Sequence, residues 1–156
     1  MKKILFVCSG NTCRSPMAEG IAKKVFPEHQ IEVSSAGAAA LDGLPASSSA
    51  IEVAGKNSVG LSKHRSKLLN RTLVREADLI VTMSSMQRET VGVIEPSALE
   101  YTYMLTDLCG EEATDIPDPI GQTPEVYEET FKLIETCVRQ FSQRMNSFCG
   151  WKQSTD

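Results

Sequence analysis

The chain has 156 residues, with 16 Lys and Arg against 20 Asp and Glu, a formal net charge of −4 and 41% hydrophobic residues. That length fits one domain with a full two- or three-layer core, and the charge balance gives no ground for nucleic-acid binding. No apolar run approaches membrane-spanning length, and the five apolar or neutral residues after Met1-Lys2-Lys3 are too few for a signal-peptide core. A cytoplasmic protein without membrane association is expected.

In chain order, Lys3-Ile4-Leu5-Phe6-Val7 is a short β-favouring run that predicts the first strand. A Gly-containing loop follows, then a helix start with Ser15 as N-cap and Pro16 as first helical residue. That helix carries Met17, Ile21 and Val25 at four-residue spacing and stops before Pro27. Residues 30–34 alternate as a second strand, ending in Ser35-Ala36-Gly37. Residues 45–59 predict a helix stopped by Gly60, with the small residues Ala46-Ser47-Ser48-Ser49-Ala50 as its start and not a hinge. A further helix spans 67–76, a third strand 78–83, a helix capped by Ser84-Ser85 runs to Gly92, and a weaker fourth strand covers 99–105. The last helix, 124–148, has Val126, Phe131, Leu133, Ile134, Val138 and Phe141 as its buried face. Strands separated by helices predict an α/β domain with a parallel sheet, its ordered core spanning 1–148 and residues 149–156 forming a C-terminal tail.

The chemistry concentrates in Cys8-Ser9-Gly10-Asn11-Thr12-Cys13-Arg14-Ser15-Pro16. A strand, a tight loop and a helix N-terminus make an anion trap, because loop N–H groups point inward and the helix dipole adds positive potential. Cys8 at the entrance and Arg14 at the exit set a thiolate beneath a bound phosphate and a guanidinium fork across two of its oxygens. Taken singly, each part is ordinary: a small buried hydrophobe, a Gly-Asn turn. A nucleotide loop is excluded, since no Gly-Lys-Ser/Thr follows. In open parallel sheets the site lies beyond the carboxyl ends of the strands, where Cys8 sits.

A thiolate attacking phosphorus needs an acid for the departing atom. Asp118, between Pro117 and Pro119, is the candidate, against a plain Asp-Pro turn; Asp115 is the fallback. The five cysteines, at 8, 13, 109, 137 and 149, are an odd number without Cys-x2-Cys spacing, so reduced thiols and no metal site are expected. No cofactor is implied.

The stretches Val7 to Glu19, Ser35-Ala36-Gly37, Lys63-His64-Arg65-Ser66, Ala77 to Met83 and Asp118-Pro119 resemble the low-molecular-weight protein tyrosine phosphatases, from the first strand to the last helix. The resemblance implies a four-stranded parallel sheet flanked by helices, with the phosphate-binding loop after the first strand. It implies a phosphocysteine on Cys8, Asp118 as acid and then base, and Arg14 with the amides of Ser9, Gly10, Asn11, Thr12 and Cys13 on the phosphate oxygens. Ser15 would donate to the Cys8 sulfur. Asn11 would adopt a left-handed conformation held by Ser35 and His64, although His64 reads equally as a solvated residue among Lys63, Arg65 and Lys67. Partners would be phosphorylated proteins, with inorganic phosphate as product.

Tyrosine-specific relatives usually carry Ile at the place of Thr12 and an aromatic residue after the Asp-Pro. Here the residues are Thr12 and Ile120, and Ala38-Ala39-Ala40-Leu41 lacks an aromatic wall. Thr12 resembles the bacterial protein arginine phosphatases of the same fold, which favours phosphoarginine over phosphotyrosine. Cys13 reads either as packing under the loop or as a thiol that traps an oxidised Cys8. Two other classes share the cradle. A thiol-dependent arsenate reductase would need a further close pair of cysteines, and no Cys lies between 14 and 108. A non-catalytic phosphate-binding module would not need Cys8, Arg14 and Asp118 together.

Overall fold

The computed structural model describes residues 1–110 and 112–154. Four parallel strands stand in the order β2-β1-β3-β4: β1 (Lys2–Cys8), β2 (Ile31–Gly37), β3 (Leu79–Thr82) and β4 (Thr102–Met104). Strand β1 lies inside the sheet, and its apolar run is buried from Ile4 to Cys8, as a parallel strand covered on both faces must be. Its side chains alternate between two cores. Ile4, Phe6 and Cys8 join one with α1 (Arg14–Val25), α2 (Ser48–Lys56), α5 (Leu105–Leu108) and α6 (Pro124–Arg144). Leu5 and Val7 join the other with α3 (Arg71–Glu76) and α4 (Ser85–Ile94). The cysteine thus ends the inner strand with its side chain on the α1 face, at the carboxyl edge of the sheet.

Several boundaries differ from the sequence expectation, each for a physical reason. Helix α1 begins one residue before Ser15, its cap position is Cys13 without a side-chain cap bond, and Pro16 is its third residue. Ser15 is not a cap because its hydroxyl is used elsewhere. Strand β2 ends in Ser35-Ala36-Gly37 as expected, since pairing with β1 continues to Cys8. Helix α2 starts only at Ser48, where the Ser47 side chain accepts from the Ala50 N–H, and α3 starts at Arg71, where Asn70 caps Leu73. The expected strand over 99–105 is three residues long, because a 3₁₀ turn occupies Pro96–Tyr101 and α5 begins at Leu105. The last helix ends at Arg144 and continues as a 3₁₀ turn, Met145–Ser147.

Of the expected tail, residues 155 and 156 lie outside the described residues; within 149–154, Trp151 packs against Phe141 and Phe148, and the Lys152 N–H donates to the Asp78 carbonyl at 2.8 Å. No helix among the described residues is long and apolar enough to cross a membrane. On α6 the buried stripe is Tyr127, Thr130, Phe131, Ile134, Cys137, Val138 and Phe141, whereas Leu133 is 40% exposed and Val126 half-buried. Phe131→Ala should therefore cost about 3–5 kcal/mol by urea unfolding, and Leu133→Ala no more than about 0.5 kcal/mol.

Candidate active site

The loop between Cys8 and Arg14 is seated by backbone bonds from the segment after β2. The N–H groups of Ala38 and Ala39 donate to the carbonyls of Cys8 and Ser9 at 2.8 and 2.9 Å, and the Ser47 N–H donates to Thr12 O at 2.9 Å. Gly37 is required by this approach: a Cβ there would lie 2.6 Å from Ser9 O and 2.9 Å from Asn11 N. From α4 the buried Gln87 donates to Ser9 Oγ at 3.1 Å.

Asn11 turns the loop, with φ of +55° in the left-handed region that Asn tolerates better than most residues. Each of its polar groups is bonded. Its N–H points to the Cys8 sulfur at 3.2 Å, and its carbonyl accepts from His64 Nε2 at 2.7 Å. Its Oδ1 accepts from the Lys67 N–H at 3.0 Å, and its Nδ2 donates to Ser15 Oγ at 2.8 Å and Ser35 Oγ at 2.9 Å. Ser35 in turn donates to Glu19, which pairs with Lys23 at 2.6 Å.

This chain of donors sets a direction. With Asn11 donating into Ser15 Oγ, the serine's one hydrogen goes either to the Cys8 sulfur at 2.9 Å or to Ala36 O at 3.5 Å, and the shorter contact wins. Two donors then converge on one buried sulfur, which stabilises negative charge there.

Arg14 is nearly buried. Its Nη1 donates to the Ile116 carbonyl at 2.8 Å and its Nη2 lies 3.6 Å from Asp118 Oδ2. The segment carrying these groups is anchored by the Ile116 N–H on Met83 O at 2.7 Å. Asp118 is 45% exposed and accepts from the Ile120 N–H at 3.1 Å. Asp115, the fallback acid, instead accepts from the Ser85 N–H at 3.0 Å and so caps α4. The geometry therefore brings Cys8, Asn11, Arg14, Ser15, Ser35, His64 and Asp118 around one loop mouth, with Ser9, Gly10 and Thr12 half-exposed at its lip.

Cys13 turns away: its sulfur lies 3.2 Å from Ser47 Oγ and 3.4 Å from the Tyr127 hydroxyl. Burial first, then the Cys13 contact, holds the Tyr127 phenol above its ordinary range. Sequence reasoning gave no role to Glu19 or Gln87, which meet the loop only through tertiary folding. It also missed a thiol pair: Cys109 and Cys137, 28 positions apart, have their sulfurs 3.0 Å from each other. No group of three or more His, Cys, Asp or Glu among the described residues is placed to hold a metal ion.

Residues 3–148 match the family model described as low molecular weight phosphotyrosine protein phosphatase. The chain belongs to this family. It is a protein phosphatase. Its similarity to the probable low molecular weight protein-tyrosine-phosphatase EpsP of Ralstonia solanacearum is 35% identity, over 94% of this chain and 98% of that one. Among solved structures, YwlE arginine phosphatase from Geobacillus stearothermophilus superposes with a TM-score of 0.88 at 32% identity, covering 94% of both chains. The low molecular weight protein tyrosine phosphatase from T. tengcongensis does so at 0.87 and 34% identity, covering 92% of this chain and 99% of that one.

The seat at Gly37 is open to test. Gly37→Ala should weaken inhibition by orthovanadate about tenfold or more, because backbone atoms of the loop must move. Gly55→Ala, on α2 with open space around its Cα, should leave inhibition unchanged.

Proposed function

We propose that this phosphatase acts through a phosphocysteine on Cys8 and prefers arginine phosphate on proteins to tyrosine phosphate. The observation that carries the chemistry is the sulfur held between Ser15 Oγ at 2.9 Å and the Asn11 N–H at 3.2 Å, at the mouth of an anion-binding loop. In the first step the Cys8 thiolate attacks phosphorus while Asp118 gives its proton to the departing nitrogen or oxygen. In the second, the Asp118 carboxylate takes a proton from water, whose oxygen attacks the phosphocysteine. Inorganic phosphate leaves and the thiolate returns, stabilised by the same two donors. The amides of Ser9, Gly10, Thr12 and Cys13 cradle the phosphate oxygens, and Asn11 builds the cradle. Arg14 keeps Nη1 on Ile116 O and offers its other N–H groups to the phosphate, neutralising charge that builds on it.

Thr12 carries the substrate assignment. Its hydroxyl, on a half-buried residue of the loop, can accept from a guanidinium or orient the attacking water, which an Ile side chain cannot do. The rim agrees: the segment that seats Cys8 presents Leu41 and Leu44, 72% and 43% exposed, and the acid loop presents Ile120 at 55%. None is an aromatic ring on which a phenyl group would stack. The likeness to the arginine phosphatase from Geobacillus stearothermophilus supports the reading; the tyrosine phosphatase from T. tengcongensis superposes about as well.

A reducing compartment, the cytoplasm, suits an enzyme whose nucleophile must stay a free thiol. Cys13, in the same loop, is the thiol proposed to trap an oxidised Cys8, which requires its sulfur to leave Ser47 and the Tyr127 hydroxyl. An arsenate reductase would need thiols beside Cys8, and the sulfurs of Cys109 and Cys137 contact each other and Thr106 instead.

The substrate reading is tested by kcat/KM on matched phosphoarginine and phosphotyrosine peptides. The parent should favour phosphoarginine. Thr12→Ile should cut that activity about tenfold or more, a hydrogen bond's worth of about 1–3 kcal/mol, and leave phosphotyrosine turnover steady or higher. A ratio unchanged by the substitution contradicts the role of Thr12.

A further inference from the structure

The cysteines outside the catalytic loop read as reduced thiols without close spacing, but the fold pairs two of them. Cys109 directly follows α5, Cys137 lies within α6, and their sulfurs approach to 3.0 Å inside the core. A single buried cysteine is ordinary packing. Two in contact are a dithiol, since drawing them to the ~2.05 Å of a disulfide takes about 1 Å of side-chain movement. Cys109 retains 7% exposure against 1% for Cys137, so a small oxidant meets Cys109 first.

The position matters because the pair grips the base of the segment that carries the acid. The Cys109 thiol donates to Thr106 O at 3.2 Å. The Thr106 hydroxyl donates to Thr114 O at 2.8 Å and accepts from the Thr114 N–H at 3.0 Å. Two residues on, Ile116 holds Arg14.

We propose that Cys109 and Cys137 form a second oxidation site, distinct from Cys8, which hydrogen peroxide converts to an intramolecular disulfide. The Cys109 sulfur attacks one peroxide oxygen, the O–O bond breaks, and a sulfenic acid and one water result. The Cys137 sulfur then attacks the sulfenic sulfur, the S–O bond breaks, and a second water leaves. The two thiols lose two electrons and two protons in total, and the peroxide takes them up. The new bond closes the chain between 109 and 137 and ties the root of the acid segment to α6, which restricts the unfolded chain and stabilises the fold.

The test uses the full chain carrying Cys8→Ser, so that the catalytic thiol consumes no oxidant. After peroxide and capping of free thiols, non-reduced peptide mapping should recover a Cys109–Cys137 crosslink. Tm should rise by about 5 °C or more and fall back with dithiothreitol. Adding Cys137→Ala should abolish both the crosslink and the rise. Should that variant fold poorly, Cys109→Ser serves in its place, and the map on the intact pair stands independently. Recovery of both residues as capped thiols or sulfinic acids, or of either crosslinked to another cysteine, overturns the proposal.

Discussion

Asn11 holds a backbone conformation that costs an L-residue about 1–2 kcal/mol, and the rest of the site depends on its doing so. The turn it makes aims its own N–H at the Cys8 sulfur and exposes its carbonyl to His64. Its side chain then fixes the loop from below through Lys67, Ser15 and Ser35. Bonds of this kind contribute about 1 kcal/mol each in a buried setting, so together they offset the backbone cost. The same bonds orient the Ser15 hydroxyl toward the sulfur. Loop shape and nucleophile charge are thus one construction.

The sheet supplies the frame. β1 lies between β2 and β3, so both neighbours reach the loop: β2 ends in Gly37, whose missing Cβ lets the loop sit down, and Met83, just after β3, anchors Ile116. Arg14 is buried with its charge, which would be costly without partners. The Ile116 carbonyl and the Asp118 carboxylate meet it from the acid segment, so the phosphate-binding cation and the acid are placed by the same piece of chain.

What could be read in advance follows from sequence distance. Cys8, Arg14 and Ser15 lie within one strand-loop-helix unit, and Asp118 within one proline-bounded turn, so local rules are enough to single them out as candidates. Capping preference points to Ser15 and Pro16 as the helix start, but the bond from the Ser15 hydroxyl to Cys8 competes with the cap and the helix begins at Arg14. Leu133 fits the buried stripe by residue type, while the stripe's geometry sends it outward. The contacts of Glu19, Gln87 and the Cys109–Cys137 pair join residues 16 to 78 positions apart, and no local pattern encodes them. Asp115, the fallback acid of the sequence, has its carboxylate committed to the N-terminus of α4.

The claim that Asn11 prepares the Cys8 sulfur is tested most directly by the phosphate-protected rate of Cys8 alkylation by iodoacetate at neutral pH. Asn11→Gly keeps access to the left-handed turn and removes the bonds to Lys67, Ser15 and Ser35. The variant should react about tenfold or more below the parent, in line with about 1.5–3 kcal/mol for hydrogen bonding to a charged group. An unchanged rate would contradict it.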